Sequence, residues 1–212
     1  MTNVDADEKI ELFQKGLTGL AEVFSRHRER LDRLVRFRLD PRIRSRVDSA
    51  DVLQDAFIEM SNRLSDYLST PSVSCYVWMR QRTMQVLIDI HRKHFRDKRD
   101  AQREVHFGQV RPPDATSLSM AHCLLDDMTS PSQAAVKAEE VQALREALES
   151  MHEIDREVLA MRHFEQLANS QVAEILGISS TAASNRYVRA ASRLAEILTS
   201  IRPAGTQHGE SP

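Results

Sequence analysis

The sequence predicts an all-α protein built from two small helical domains that are joined by a flexible linker. Glycine and proline, which break helices, account for only 6 and 7 of the 212 residues. Long stretches are rich in Leu, Ala, Glu, Arg and Gln, which favour helix, and strand-like alternation is hard to find. Hydrophobic residues make up 41% of the chain and charged residues 28%, a balance typical of a globular rather than a disordered protein.

The N-terminal domain is predicted over residues 1–103, and its first helices lie between residues 8 and 39. Apolar residues recur there at helical spacing. Gly16 and Gly19 interrupt the pattern, so two helices are expected rather than one. Pro41 ends the second helix, because its ring fixes φ and it has no amide hydrogen to donate.

A third helix is expected over residues 48–64, and a fourth over residues 75–99. Asp48 is a good N-cap, because its carboxylate can accept hydrogen bonds from the free backbone amides of the first turn. The segment SDYLSTPSVS between these helices is predicted to be a loop. Trp78 lies on the apolar stripe of the fourth helix, so it is expected to pack in the core.

A shift in composition marks the predicted linker at residues 104–130. This segment has a Pro-Pro pair together with Gly, Ser and Thr, and its periodicity is weak. Ser130, Pro131 and Gln133 then have the pattern of an N-cap, a proline at the first helical position and a capping-box partner. A second helical domain therefore begins there.

The C-terminal domain is predicted over residues 131–201 and is followed by a disordered tail at residues 202–212. Its expected helices cover residues 131–150, residues 155–164, a short segment that ends at Gly177, and residues 180–201.

The stretch VAEILGISSTAASNRYVRAASRL indicates a helix-turn-helix. Gly177 permits the positive φ of a sharp turn, Ser179 can cap the second helix, and alanines keep that helix slim. Polar groups suited to phosphates and to base edges in a major groove project from it. These DNA-binding candidates are Ser180, Thr181, Ser184, Asn185, Arg186 and Arg189. A plain helical hairpin with a solvated face is the alternative, but the ordered combination favours DNA binding.

The formal net charge of −2 conceals separate basic and acidic stretches. Arginine is dense between residues 26 and 46, and basic residues are dense again between residues 91 and 103. Acidic residues concentrate elsewhere, notably between residues 48 and 60. This segregation suits a protein with separate faces for different partners.

Three stretches resemble, in order, an RNA polymerase sigma factor of the extracytoplasmic-function type, in the sigma-70 family. RVDSADVLQDAFIEMSNRL is similar to the part of region 2 that docks on the clamp helices of the β′ subunit. YVWMRQRTMQVLIDIHRKHFRDKRD is similar to the part that opens and reads the minus-ten element. LREALESMHEIDREVLAMRHFEQLANSQVAEILGISSTAASNRYVRAASRL is similar to region 4, which binds the upstream minus-thirty-five element.

The resemblance implies that core RNA polymerase and promoter DNA are the partners, with an anti-sigma factor as a further candidate. Polymerase contacts are expected at the β′ clamp helices and the β flap. A charged helix face is usually only solvated, but with the resemblance we expect the acidic face of the third helix to bind polymerase. Its residues are Asp51, Gln54, Asp55 and Glu59.

The helix-turn-helix of this family usually starts with Leu-Ser. Here it starts with Leu167-Ala168, so Asn169 or Ser170 is expected to supply the cap.

For the minus-ten element, the resemblance implies a pocket in the segment NRLSDYLSTPSVS and a basic track on the fourth helix. Holding bases out of the stack requires both a pocket and a basic track. The candidates are Asn62, Ser65, Asp66, Arg80, Arg82, Arg92, Lys93 and Arg96. Pairing with Asp89, Asp97 or Asp100 is the alternative for some of these arginines.

No motif indicates an enzyme, a cofactor or a metal site. Cys75, Cys123 and the histidines lack zinc-ligand spacing, and neither a nucleophile–base constellation nor a glycine-rich phosphate loop is recognisable. The two cysteines are expected to be free thiols in a reducing compartment. The N-terminus lacks the pattern of a signal peptide, so a cytoplasmic location is expected.

Three functions fit these observations. The first is a promoter-specificity subunit of RNA polymerase. The second is a stand-alone helix-turn-helix regulator whose N-terminal domain senses a ligand or dimerises. The third is a sigma-like protein that only binds partners. The stretch from Asp48 to Met60 favours the first over the second, because a repressor has no need for it.

Overall fold

The computed structural model describes residues 4–96, 113–126 and 134–201, which are helical and contain no β-strand. No helix within these ranges combines the length and the apolarity that a membrane span needs. The helices are α1 (Val4–Lys15), α2 (Leu17–Arg38), α3 (Ser49–Ser69), α4 (Cys75–Arg96), α5 (Pro113–Asp126), α6 (Ala134–Glu149), α7 (Glu153–Leu159), α8 (Asn169–Leu176) and α9 (Ser180–Ile201). A short 3-10 turn (Pro41–Ile43) and a π-helical segment (Ala160–Phe164) complete them.

The break between α1 and α2 confirms the prediction of two helices. Gly16 has a φ of 56°, a left-handed conformation that glycine adopts without a side-chain clash. Gly19 lies inside α2, where a Cβ atom would come within 2.7 Å of the Glu11 carbonyl oxygen. Its missing side chain therefore lets α1 fold back closely on α2.

Helix α2 is the centre of the molecule. It contacts α1, α3, α4, α5 and the π-helical segment. Leu31, Leu34 and Val35 on this helix are fully buried, as expected for an apolar stripe enclosed on several sides.

Helix α3 begins as predicted and ends later than predicted. The Asp48 carboxylate accepts a hydrogen bond from the Ala50 amide at 3.1 Å and so caps the helix. The helix continues to Ser69, through the start of the segment that was expected to be a loop. Tyr67 explains the extension, because its ring stacks on Trp78 at 4.4 Å and its hydroxyl donates to the Val73 carbonyl at 3.0 Å. Trp78 is a core residue, as predicted.

Helix α5 lies inside the segment that composition indicated as a flexible linker, so that prediction is wrong for residues 113–126. Met120, Ala121 and Leu125 are buried with apolar residues of α6. Thr116 and other hydroxyl residues that indicated a loop are themselves buried in this packing. The Thr116 hydroxyl finds a buried partner there, since it accepts a hydrogen bond from the Arg38 guanidinium at 3.1 Å.

Several sequence predictions fall outside the described residues. The capping box at Ser130, Pro131 and Gln133 lies there, as does the tail at residues 202–212. The division into domains at residues 1–103 and 131–201 stays a prediction.

The C-terminal helices pack directly on the N-terminal helices. Met161, Leu167 and Val172 belong to the same apolar core cluster as Leu31 and Leu34 of α2. In a second cluster, the ring of Phe37 stacks on Phe164 at 4.7 Å. The predicted helix 155–164 is present but changes from α to π geometry at Ala160.

Candidate nucleic-acid interface

The turn between α8 and α9 has the geometry that the sequence predicts. Gly177 has a φ of 63°, and the Ile178 amide donates to the Ala173 carbonyl at 3.0 Å, which closes the end of α8. The Ser179 hydroxyl accepts a hydrogen bond from the Ala182 amide at 3.1 Å and caps α9. The angle between the two helices is therefore set by local hydrogen bonds.

We expect Gly177→Ala to lower the free energy of unfolding by about 1–2 kcal/mol, the cost of a left-handed conformation for a residue with a Cβ atom. A Cβ atom at this position would have no heavy atom beyond the neighbouring residues within 4 Å, so backbone strain is the main expected cause. Urea denaturation measures the loss. Gly177→Asn is the matched control, because asparagine tolerates this conformation better. Equal losses for the two variants would contradict the explanation.

The start of α8 corrects the expectation that Asn169 or Ser170 replaces the missing cap. No side chain caps the first-turn amides at Ala168; the Gln171 oxygen instead accepts a hydrogen bond from the Ala168 amide at 3.2 Å, which is the other half of a capping box. Asn169 has a different task. Its side-chain amide donates to the Ser180 carbonyl at 2.8 Å and thereby joins the first turns of α8 and α9.

The outer face of α9 carries the predicted DNA-binding residues. Its inner face is apolar, with Ala183 and Ala190 buried. The predicted DNA-binding residues that are exposed on the outer face are Ser180, Thr181, Ser184, Asn185 and Arg189. Arg186 is half-buried, and its guanidinium lies 3.3 Å from the Asp155 carboxylate of α7. The structure therefore brings the predicted set together on one helix.

Further basic groups beside α9 were not found from the sequence. His163 shares a hydrogen bond of 3.0 Å with the Tyr187 hydroxyl, and the Arg162 guanidinium lies 5.4 Å from the Tyr187 ring. Arg162 and His163 belong to the π-helical segment, which has more residues per turn than the predicted α-helix. A helical wheel with α-helical spacing therefore could not place them next to α9.

The predicted polymerase-binding face lies on the outside of α3. Asp51, Gln54 and Asp55 are exposed. Glu59 is half-buried and forms an ion pair with Arg63 at 3.4 Å. We refer to Asp51, Gln54, Asp55 and Glu59 together as the acidic face. It is accessible in the structure, and its contact with polymerase stays a prediction.

The minus-ten candidates divide into exposed and buried residues. Asn62, Ser65 and Asp66 are exposed on the last turns of α3, rather than on a loop. Arg92 and Lys93 are exposed on α4, whereas Arg82 is half-buried. The Arg92 guanidinium lies 3.5 Å from the Asp89 carboxylate, one of the pairings kept as an alternative. The side chain of Arg96 lies outside the described residues.

Arg80 is a correction to the predicted basic track, because it is buried with 6% of its surface exposed. Its guanidinium donates to Glu165 at 2.7 and 3.1 Å. Arg38 donates to the same carboxylate at 2.6 Å and to Glu157 at 3.1 Å. A buried arginine needs an anionic partner, and here that partner comes from the C-terminal half of the chain.

Glu165 is ionised in this setting, although it is fully buried. Burial by itself would raise the pKa of its carboxyl group. The charges of Arg38 and Arg80, together with their hydrogen bonds, outweigh burial and lower the pKa of Glu165 to about 2. At neutral pH the centre of the molecule therefore holds a carboxylate between two guanidinium groups.

Asp5, Glu8 and Cys75 are brought together in a way that the sequence did not indicate. Their ligand atoms lie within 4.8 Å of one another. The Asp5 carboxylate accepts a hydrogen bond from the Cys75 backbone amide at 2.6 Å. The Glu8 carboxylate forms a hydrogen bond of 2.9 Å with Nε2 of His27. Burial raises the pKa of Cys75 to about 11, which keeps the thiol protonated at neutral pH. The carboxylates of Asp5 and Glu8 are thus engaged by the first amide of α4 and by His27, so the cluster gives no reason to propose a metal site.

The C-terminal helices are similar to a known protein family. The family described as sigma-70, region 4 matches residues 141–194, which include all of α8 and the turn before α9. Residues 141–194 are therefore similar to region 4 of the sigma-70 family. The helix-turn-helix described above lies inside the matched range, as does every predicted upstream-element residue.

Two further comparisons reach beyond residues 141–194. A probable RNA polymerase sigma factor, RfaY, of Xanthomonas campestris pv. campestris is 29% identical over 143 residues. The match covers 67% of this chain but 32% of RfaY, so the chain spans about a third of that relative's length. CnrH, solved in complex with the cytosolic domain of CnrY, matches 93% of this chain and 99% of its own. Its TM-score of 0.53 at 17% identity shows a shared fold.

Proposed function

We propose that this chain is a sigma factor of the sigma-70 family, which binds core RNA polymerase and directs promoter-specific initiation of transcription. The observation that supports the proposal is the presence, in one chain, of a region 4 helix-turn-helix and of an exposed acidic face on α3. A stand-alone regulator requires the first and has no use for the second. The proposed role requires no catalytic group or cofactor on this chain, and it places the protein in the cytoplasm.

The acidic face is proposed to dock on basic residues of the β′ clamp helices, and the region 4 helices to meet the β flap. Helix α9 then enters the major groove of the upstream element. Electrostatic complementarity favours the first contact, because Asp51 and Asp55 present negative charge on an otherwise solvated helix face. Asn62, Ser65, Asp66 and the basic residues of α4 are proposed to hold the minus-ten strand.

The net charge of −2 supports this division of labour. Nonspecific affinity for DNA comes mainly from neutralisation of phosphates by basic residues. A nearly neutral chain therefore binds random DNA weakly when it is free. In complex with polymerase, the basic side chains on α4 and α9 act only where the enzyme positions them.

An anti-sigma factor is proposed as a further partner. CnrH shares the fold of this chain and was solved in complex with the cytosolic domain of CnrY. A protein domain bound across the N-terminal and C-terminal helices would restrict their access to polymerase.

A pull-down with core RNA polymerase, followed by transcription from a promoter library, tests the proposal. We expect a stable complex with the core enzyme and transcripts from a subset of promoters that share upstream and minus-ten elements. Binding to DNA without any binding to core polymerase would instead support the stand-alone regulator. Core binding without transcription would support the sigma-like protein that only binds partners.

We expect Arg186→Ala to weaken promoter binding by the holoenzyme by about 1–3 kcal/mol if Arg186 contacts a base edge through both guanidinium nitrogens. Binding to promoters that differ at single upstream positions measures this loss. A phosphate contact would instead weaken binding to all sequences alike. Arg193→Ala is the control, because Arg193 pairs with Glu196 near the end of α9 and is not a predicted contact. Unchanged promoter binding by the Arg186 variant would contradict the assignment.

A further inference from the structure

We propose that the free chain holds itself closed through Glu165, and that this closure covers Arg80 until the C-terminal helices move away. The closure itself is independent of the proposed function. Only the role of opening, which is to free Arg80 for DNA, rests on that function. Glu165 follows the π-helical segment and is buried between Arg38 of α2 and Arg80 of α4. We call this carboxylate with its two arginines the latch.

The latch joins residues that are distant in sequence. Arg38 and Arg80 belong to the N-terminal helices α2 and α4. Glu157 lies on α7 and Glu165 directly follows the π-helical segment, so both carboxylates come from the C-terminal half of the chain. Arg38 reaches both carboxylates, with an ion-pair distance of 3.0 Å to Glu157 and a still shorter contact to Glu165. The polar centre of the interface between the two halves is therefore a network of opposite charges.

The rim of the same interface has its own hydrogen bonds. The Ser74 hydroxyl donates to Glu174 of α8 at 2.7 Å, and Arg30 donates to Gln171 at 2.9 Å. Arg33 donates to the side chain of Gln166 at 2.6 Å. Each of these bonds ties an N-terminal residue to a C-terminal residue, so the closed arrangement is a specific one.

Gln166, the residue after the latch carboxylate, has a φ of 55°. A left-handed conformation is uncommon for residues other than glycine and is held only where surrounding contacts impose it. The contact with Arg33 and the burial of Glu165 provide that constraint. Opening of the interface would remove this constraint on the backbone of Gln166. The turn at Gln166 is therefore a suitable hinge for the C-terminal helices.

Because the charges of the latch are buried, the balance between the closed and open arrangements depends strongly on each of them. The desolvation of the three charges offsets much of their mutual attraction, so the complete network contributes little net stability. Removal of one partner leaves a buried charge without compensation, which strongly disfavours the closed arrangement. A partner that binds one of these charged groups in the open state therefore shifts the equilibrium towards opening.

Closure has different consequences for the two proposed binding surfaces. The acidic face of α3 stays exposed, so the closed chain can still meet polymerase through it. Arg80 is covered, and its hydrogen bonds are taken by Glu165. The structure thus separates docking, which is possible in the closed state, from use of this part of α4, which requires opening.

Small-angle X-ray scattering of the full-length chain without polymerase tests the closure. We expect the wild type to be compact and Glu165→Gln to have a radius of gyration several ångströms larger, because the closing equilibrium falls roughly a hundredfold or more. Glu196→Gln is the matched control, since it makes the same chemical change on the exposed part of α9 and is expected to stay compact. An extended wild type, or a Glu165→Gln protein as compact as the control, would overturn the proposal.

Circular dichroism of the same samples separates opening from unfolding. We expect Glu165→Gln to keep the helical spectrum of the wild type. Should it unfold, Arg80→Gln provides the second test, because Arg38 alone must then neutralise the two buried carboxylates of Glu165 and Glu157, which leaves excess negative charge in the closed arrangement. That variant is also expected to expand, and a helical but compact Arg80→Gln protein would overturn the proposal.

Binding of the free chain to a labelled single-stranded minus-ten oligonucleotide connects closure to function. We expect Glu165→Gln to bind roughly tenfold or more tightly than Glu196→Gln, since a larger fraction of molecules is binding-competent. Equal affinities for the two variants, with Glu165→Gln expanded, would overturn the role of closure in covering Arg80 but not the closure itself. Failure of the wild type to bind core polymerase would contradict the proposed function and leave the scattering result intact.

Discussion

The Asp55→Arg protein is expected to keep its helical circular dichroism and to lose core polymerase binding and transcription together. Asp55 is exposed on α3, while the opposite side of the same helix buries Val52, Ala56 and Met60. The substitution therefore leaves the core unchanged. It places a positive charge against the basic partner that we propose, and like charges across a docked interface cost several kcal/mol. Affinity for core polymerase should fall at least roughly a hundredfold.

Glu29→Arg provides the matched control for this charge reversal. The Glu29 side chain on α2 is 92% exposed and lies outside the acidic face. We expect this variant to bind core polymerase like the wild type, because a reversal on an open surface changes stability and long-range attraction only slightly. Normal holoenzyme formation by Asp55→Arg would show that the proposed docking face is wrong, and it would strengthen the case for a stand-alone regulator.

Leu34→Ala is expected to lower the free energy of unfolding by about 2–5 kcal/mol. Leu34 is fully buried at the centre of α2 and belongs to the core cluster that joins the N-terminal and C-terminal helices. The loss has two parts, which are the transfer free energy of the deleted methyl groups and the cavity that they leave. Chemical denaturation followed by circular dichroism measures the change.

Leu17→Ala is the control for Leu34→Ala. Leu17 opens the same helix but is 59% exposed, so little apolar area is lost with its side chain. We expect its effect to stay within about 0.5 kcal/mol. Similar losses for both leucines would contradict the position of α2 at the centre of the fold.

Most helix boundaries could be predicted because they depend on local chemistry. Gly16 separates α1 from α2, Asp48 caps α3, and Gly177 ends α8. Each of these residues acts on backbone groups within a few positions of itself, so its effect is visible in the sequence. The outward position of Asp55 follows equally from the helical period of the apolar residues beside it.

Helix α5 shows where local reasoning fails. The polar residues of this segment, including Thr116 and Ser119, indicated an exposed linker. Packing against other helices buries them instead, and tertiary contacts override weak local preference. The hydrogen bond from the Ala168 amide to Gln171 is local by contrast, and glutamine at the third helical position is a signal that the sequence prediction missed.

The sequence by itself determined the all-α class, the helix-turn-helix with its outward-facing Asn185 and Arg189, and the acidic face around Asp55. These features follow from periodicity and capping, which act over one or two helical turns. Only the tertiary structure decided which carboxylate Arg80 binds. Glu165 lies 85 positions away along the chain, and many acidic residues could neutralise an arginine. The packing of the C-terminal helices on α2 and α4 selects one of them, because a buried guanidinium is stable only where a carboxylate is buried with it.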